Sequence, residues 1–112
     1  MNIKVGCDLV SLKRFKKSVE KNGAKFLEKI FCPEELLNSD KLESLAGIFA
    51  AKEAAFKALE MTTDNWLNVQ ILKKNNGKPI LNLINFPENY SCDISISHDG
   101  NYVFAVVSFL IL

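Results

Sequence analysis

Phe49-Ala50-Ala51-Lys52-Glu53-Ala54-Ala55-Phe56-Lys57-Ala58-Leu59 is the stretch on which the reading of this chain turns. It reads as a helix, yet it sets one carboxylate and two lysines among apolar residues that should face a core. Glu53 and Lys57 stand four apart and so share a face. Charged groups on a mostly apolar helix suggest a site for a metal or a phosphate. The ordinary alternative is an intrahelical ion pair worth a few tenths of a kcal/mol. The rest of the chain has to decide between them.

Working outward, the helix opens upstream at Asp40, which with Glu43 resembles a capping box, and it runs to about Glu60. Ile3 to Val10 alternates imperfectly and predicts a strand. Ser11 can cap a helix to about Asn22, with Gly23 ending it. A second short helix is expected over Ala24 to Phe31, presenting Phe26, Leu27 and Ile30, and a third from Pro33 through Leu37. Downstream the periodicity changes. Trp66 to Leu72 alternates, with Leu67, Val69 and Ile71 on one face, and Asn76-Gly77 signals a hairpin returning along Pro79 to Ile84. A second strand pair is expected from Cys92 to Ser97 and Asn101 to Phe109, around Asp99-Gly100. Segments 60–65 and 85–91 read as loops. One strand, then helices, then four strands predicts an α+β fold: a mainly antiparallel sheet packed against one long and several short helices. With 112 residues, and no repeat or linker, residues 1–112 read as one domain.

Composition narrows the function. At 48% hydrophobic the chain can build a core, and oligomerisation could bury more. The net charge of +1 conceals an asymmetry: residues 1–29 carry eight basic and three acidic side chains, so the surplus of positive charge lies at the N-terminal end. That block fits an acidic partner or a solvated helix face. The three cysteines are odd in number and lack Cys-x-x-Cys spacing, which disfavours a disulfide framework or a structural zinc site. Each is expected to be a small buried residue in a reducing compartment. No apolar run reaches the roughly 20 residues needed to span a bilayer. There is no signal-peptide pattern either, so a cytoplasmic location is expected. The aromatic residues are scattered and rich in phenylalanine, which favours a core over nucleic-acid stacking. Neither nucleic acid nor membrane is expected as a partner.

Three features could carry chemistry. Asp8 lies in the apolar run Val5-Gly6-Cys7-Asp8-Leu9-Val10, where an unpaired buried carboxylate would cost several kcal/mol. It either ends the strand in solvent or binds something positive, and Gly6 permits close backbone approach. Glu53 adds a second carboxylate, and two on different elements can form a magnesium site completed by water and phosphates. Lys52 and Lys57 could then hold the phosphates. Last, Ser95-Ile96-Ser97-His98-Asp99-Gly100 delivers the only histidine to a turn, where it could be plain surface, bind phosphate or move a proton. There is no second histidine for a nucleophilic triad and no Walker or dinucleotide glycine motif.

Taken in order, Gly6-Cys7-Asp8-Leu9-Val10 with Arg14, Phe49-Ala50-Ala51-Lys52-Glu53-Ala54 with Lys57-Ala58, and Ser95-Ile96-Ser97-His98 before an apolar strand resemble the bacterial holo-[acyl-carrier-protein] synthases. These are the small 4′-phosphopantetheinyl transferases. The chain length and the Asn76-Gly77-Lys78-Pro79 hairpin agree, so the likeness spans nearly the whole chain. The resemblance implies a 4′-phosphopantetheinyl transferase fold. It implies transfer of 4′-phosphopantetheine from coenzyme A to a serine of apo acyl carrier protein, releasing adenosine 3′,5′-bisphosphate, in support of fatty acid biosynthesis.

It further implies magnesium on Asp8 and Glu53, and catalysis by Glu53, Lys57 and Asp8. The general base stays open among Glu53, Asp8 and a metal-bound water. Coenzyme A contacts fall to Lys52, Lys57, Ser97 and His98, and a homotrimer would place sites between subunits. An acidic carrier gives the basic first helix a purpose, with Lys13, Arg14, Lys17 and Lys29 as docking charges and Phe26 as an apolar anchor. Relatives commonly carry an arginine where Ile48 stands here, and a glycine-rich turn where this chain has Glu60-Met61-Thr62. Two other classes compete. A metal-dependent nuclease would use Asp8, Glu53 and a lysine, although the position two after Glu53 is Ala55. A non-catalytic module would dock an acidic protein without needing the carboxylates.

Overall fold

A computed structural model describes residues 1–63 and 65–112. The elements follow in the order β1 (Asn2–Ser11), α1 (Leu12–Ile30), α2 (Pro33–Leu37), α3 (Leu42–Leu59), β2 (Val69–Lys73), β3 (Pro79–Leu83), β4 (Tyr90–Asp99) and β5 (Tyr102–Ile111). This is the α+β architecture expected, but the strands divide into two antiparallel sheets. β1, β5 and β4 form one, in that order, and β2 and β3 form a separate hairpin. Gly77 turns the hairpin at φ 87, and Gly100 joins β4 to β5 at φ 57. A residue without a Cβ takes such angles without steric cost.

Helix α3 lies across the three-stranded sheet. Its alanines Ala50, Ala51, Ala54, Ala55 and Ala58 are all buried. Small side chains let the helix axis come close, and β1 uses that room at Gly6. Against α3 the sheet presents Val10, Val103, Ala105, Val107, Phe109 and Ile111, all buried. Burying each of the larger ones contributes about 1.5–3 kcal/mol. Aromatic rings fill the gap between α1 and α3. Phe15 lies 5.3 Å from Phe49, and Trp66 lies 5.2 Å from both Phe49 and Phe56. Such pairs add about 0.5–1.5 kcal/mol each.

Several boundaries differ from expectation for local reasons. Ser11 caps α1 as read, its Oγ accepting from the Arg14 N–H at 3.3 Å. Gly23 breaks that helix at φ 63, ψ −148, with helical limbs on both sides. The Asp40–Glu43 capping box does not form. Lys41 takes the cap position of α3, and its carbonyl accepts from the Ser44 and Leu45 N–H groups. Trp66–Asn68 is a 3₁₀ turn rather than the start of a strand, so Leu67 is exposed while Val69 and Ile71 are buried. Trp66 packs inward on two phenylalanines, and that contact outweighs the local alternation. Of the loop expected over 60–65, residue 64 lies outside the described residues. Cys32 is buried and Cys92 half-buried, but Cys7 is exposed, because odd-numbered positions of β1 face away from α3.

Candidate functional site

β1 and α3 cross where neither has bulk. An added Cβ at Gly6 would stand 2.0 Å from the Ala54 carbonyl oxygen and 2.8 Å from the Ala58 nitrogen. Asp8 lies two residues on from Gly6, on the same strand face, while Glu53 and Lys57 flank Ala54 and Ala58 on the helix. The crossing therefore gathers the three charged groups. Asp8 is interior to β1, not at a frayed end, and it meets a cation: Lys57 Nζ lies 2.9 Å from its Oδ1 and donates to the Cys7 carbonyl at 3.2 Å. Among the described ion pairs Lys57 is matched with Asp8, not with Glu53 on its own helix.

Glu53 comes within hydrogen-bonding reach of Asp8. Burial first, then the Asp8 charge, pushes its carboxyl up to about 7, with Lys57 opposing. The Lys57 ammonium is held above its usual range, chiefly by its hydrogen bond to Asp8. Two carboxyl groups at contact, one cation on one side and a proton held near neutral pH describe a site short of positive charge. Among the described residues no group of three or more His, Cys, Asp or Glu side chains forms a closed metal cage. The donor set fits a hard divalent cation of the magnesium kind, which takes one or two carboxylates and fills its remaining positions with water and phosphate oxygen.

Lys52, expected to contact coenzyme A, is not available to a ligand. Its side chain is 0% exposed, ion-paired to Glu35 at 2.8 Å, and it donates to the carbonyls of Ile30 at 2.6 Å and Trp66 at 3.1 Å. Residues 52 and 53 are neighbours, but 100° per residue on a helix sends one inward and the other to the rim. Burial depresses the Lys52 ammonium and the Glu35 carboxylate opposes that shift. Glu35 itself escaped the sequence reading. Its only signal was a place on a short helix of no obvious amphipathicity.

Ser97 and His98 do not act together on one face. Ser97 pairs with Phe104 on the outer face of the sheet, whereas His98 borders a cleft of about 230 Å³ on the other side. That cleft runs between α2, the start of α3 and the β2–β3 hairpin. Its walls include Ile48, Ile71, Pro79 and Ile96, and none of Asp8, Glu53 or Lys57 lines it. Ile48 is buried in the wall. Within one chain the expected site thus falls into two parts. Lys13, Arg14, Lys17 and Lys29, expected to dock a carrier, are exposed along α1, while Phe26 is half-buried with its ring 6.3 Å from Phe15.

The outer face of the three-stranded sheet carries an apolar strip along β1 and β5, while β4 presents Ser91, Asp93, Ser95 and Ser97 there. Ile3 (77% exposed), Val5 (63%) and Leu9 (62%) project from β1, and Phe104 of β5 stands opposite Leu9. Val106 and Leu110 continue the strip, partly covered.

Comparison with known proteins adds to this geometry. The sequence profile described as the 4′-phosphopantetheinyl transferase superfamily matches residues 4–107. A holo-[acyl-carrier-protein] synthase of Wolinella succinogenes is 36% identical, over 93% of this chain and 94% of that protein. One from Campylobacter hominis is 40% identical, over 92% of this chain and 94% of that protein. Among solved structures, the "Chronobacterium ammoniagenes" ACPS–CoA complex superposes with a TM-score of 0.87 at 28% identity, covering 100% of this chain and 99% of that one. The Helicobacter pylori holo-[acyl-carrier-protein] synthase in complex with coenzyme A superposes at 0.81 with 35% identity, covering 96% and 99%.

Proposed function

The chain belongs to the 4′-phosphopantetheinyl transferase superfamily, and from that membership we propose how its residues perform the transfer. It is a holo-[acyl-carrier-protein] synthase: it moves 4′-phosphopantetheine from coenzyme A to a serine of apo acyl carrier protein. In the reaction the serine hydroxyl gives its proton to a carboxylate of the site or to water as its oxygen bonds to the phosphorus that carries the pantetheine. The bond from that phosphorus to the rest of the pyrophosphate breaks, and adenosine 3′,5′-bisphosphate leaves. Such a transfer needs alignment and charge neutralisation more than covalent help. Asp8 and Glu53 would hold magnesium, which neutralises and orients the pyrophosphate when bound. Lys57 would steady the leaving phosphate. Its ammonium has three donors, and Asp8 and Cys7 take two.

The single observation that carries this reading is the contact of Asp8, Glu53 and Lys57 across the β1–α3 crossing. It favours a phosphoryl-transfer centre over a module that only docks, because a docking module needs no charge-poor carboxylate pair.

The separation of His98 from that centre, together with the exposed apolar strip on the sheet, supports a homotrimer with sites between subunits. An apolar strip of this kind would be covered when copies associate, and a neighbouring copy could then supply the coenzyme contacts that lie away from the carboxylates within one chain. The exposed charges of α1 suit an acidic carrier. Free cysteines are consistent with the cytoplasm, where both substrates would be met, and no helix among the described residues is long and apolar enough to cross a membrane.

The test is intact-mass measurement of apo acyl carrier protein incubated with coenzyme A and the enzyme, with magnesium or with chelator. The expected result is a gain of one phosphopantetheine per carrier that requires the metal. An unchanged carrier mass with folded enzyme, across several carriers, would refute the transfer. Cleavage of added nucleic acid in its place would support the nuclease.

A further inference from the structure

The buried pair Glu35 and Lys52 has no part in the chemistry above, yet it touches more of the fold than any other polar contact described. Lys52 Nζ binds Glu35 Oε1 at 2.8 Å, the Ile30 carbonyl at 2.6 Å and the Trp66 carbonyl at 3.1 Å. The Glu35 carboxylate also accepts the Cys32 N–H and the Ile71 N–H, each at 2.8 Å. The end of α1, the start of α2, the middle of α3, the 3₁₀ turn and β2 therefore meet at one charge pair with no exposed surface.

Such a pair is a poor means of gaining stability. Removing two charges from water offsets most of their attraction, and apolar side chains of similar volume commonly do as well. What the pair supplies is direction: five bonds, each with a fixed donor and acceptor. The point it fixes on α1 is informative. That helix is broken at Gly23, so its second limb, residues 24–30, is not carried rigidly by the first. The first limb is held at its start by Ser11 and by Asn101, whose side chain accepts the Lys13 N–H at 3.1 Å. The second limb ends at Ile30, whose carbonyl belongs to the last turn and has no partner within the helix. Lys52 supplies that partner, from the residue next to Glu53.

We propose that Lys52 is a positioning residue for the carrier protein: it holds the second limb of α1, which bears Phe26 and Lys29, at a set place relative to Glu53. The inference rests on the docking role given to α1 above. Phe26 and Phe31 pack on Phe15, and Leu27 and Ile30 join the core, so apolar contacts keep the limb attached without Lys52; the Lys52 bond adds the direction that such contacts do not fix. A carrier bound to that limb must bring its serine to the carboxylates, so freedom in the limb weakens productive docking while leaving the coenzyme's own contacts in place.

The test is steady-state kinetics of Lys52→Met with coenzyme A and apo carrier, at a temperature where circular dichroism shows the variant fully folded. The expected result is a rise in KM for the carrier of roughly tenfold, a middling value for coupling between distant sites. KM for coenzyme A and kcat at saturating carrier stay at wild-type values, and amide exchange quickens within residues 24–31. Should Lys52→Met not fold, Lys52→Gln takes its place: it keeps a donor for one carbonyl but removes the ammonium that ties Ile30 to Glu35, and the same split in KM is expected. Wild-type kinetics for both substrates with only stability lowered would overturn the proposal, as would equal losses toward both substrates. Absence of transfer by the unaltered enzyme is a different result, and it would remove the docking reading itself.

Discussion

Gly6 of β1 and Ala54 of α3 are in backbone contact: a Cβ at Gly6 would overlap the Ala54 carbonyl oxygen at 2.0 Å. That contact sets how near Asp8 can come to Glu53 and Lys57, because Asp8 lies two residues from Gly6, Glu53 one from Ala54, and Lys57 next to Ala58, whose nitrogen also faces Gly6. Backbone cannot yield as a flexible side chain can. Gly6→Ala is therefore expected to push β1 off the helix, lowering stability by about 1–3 kcal/mol or more. Activity should fall further than the unfolded fraction explains. Urea titration beside the transfer assay checks this, and unchanged activity in the folded variant would contradict the crossing as the organiser of the site.

Glu53 predicts a pH dependence with a definite sign. Its ordinary value of 4.5 is raised to about 7 in the fold. Between those values the folded chain keeps a proton that the unfolded chain has released. The associated stability is complete below about pH 4.5 and is lost as pH rises through about 7. Without divalent cations, Glu53→Gln should flatten this part of the stability profile and gain stability relative to wild type toward neutral pH. Chemical denaturation at intervals across the window measures it. Because a cation must displace the same proton, magnesium affinity should rise with pH over that range.

Asp8→Asn and Lys57→Met separate charge from shape at the centre. Each is expected to lower kcat on the order of 100-fold, the scale seen when one group stabilising a transition state is removed. Asp8→Asn should also weaken magnesium binding in titration calorimetry, while Lys57→Met should not. The Lys57 side chain is 58% exposed, so its loss should change stability by no more than about 1 kcal/mol. Weakened magnesium binding in Lys57→Met would place that lysine in the metal site instead.

Assembly can be tested on the outer sheet face. Val5→Glu puts a charge in the middle of the apolar strip without touching α3. If copies associate through that face, light scattering should show the variant shifted to monomer, with transfer lost although each chain remains folded. An active variant of wild-type mass would rule out that face as the interface.

Glu60 closes α3 in the left-handed conformation, at φ 56. A side chain there costs about 1–2 kcal/mol that glycine does not. Its exposed pairing with Lys4 at 3.4 Å offsets little of this. Glu60→Gly is expected to raise stability by up to about 1 kcal/mol, read as a higher midpoint in urea. A lower midpoint would mean the ion pair or chain entropy outweighs the strain.

Much of this was legible because short-range rules applied. The apolar run 49–59, the Ser11 cap, the break at Gly23 and the Asn76-Gly77 turn depend on residues a few positions apart, where periodicity and turn chemistry decide. The extra boundary at Trp66 was not legible, since its ring is captured by Phe49 and Phe56 from another element. Nor was the role of Lys52. Sequence spacing puts it beside Glu53, but Glu35, 17 positions earlier, decides that it turns inward.

The sequence by itself determined which residue types could do the chemistry: two carboxylates and a lysine on a strand and a helix, with a basic segment ahead of them. That follows from side-chain chemistry and from the ordered motifs, neither of which needs coordinates. Only the tertiary structure decided which groups meet. Gly6 against Ala54 brings Asp8 to Glu53 and Lys57, the pleat of β4 turns Ser97 and His98 to opposite faces, and Glu35 withdraws Lys52 into the core. Each outcome depends on a contact between residues far apart in sequence, and local pattern carries no record of the distance that folding leaves between them.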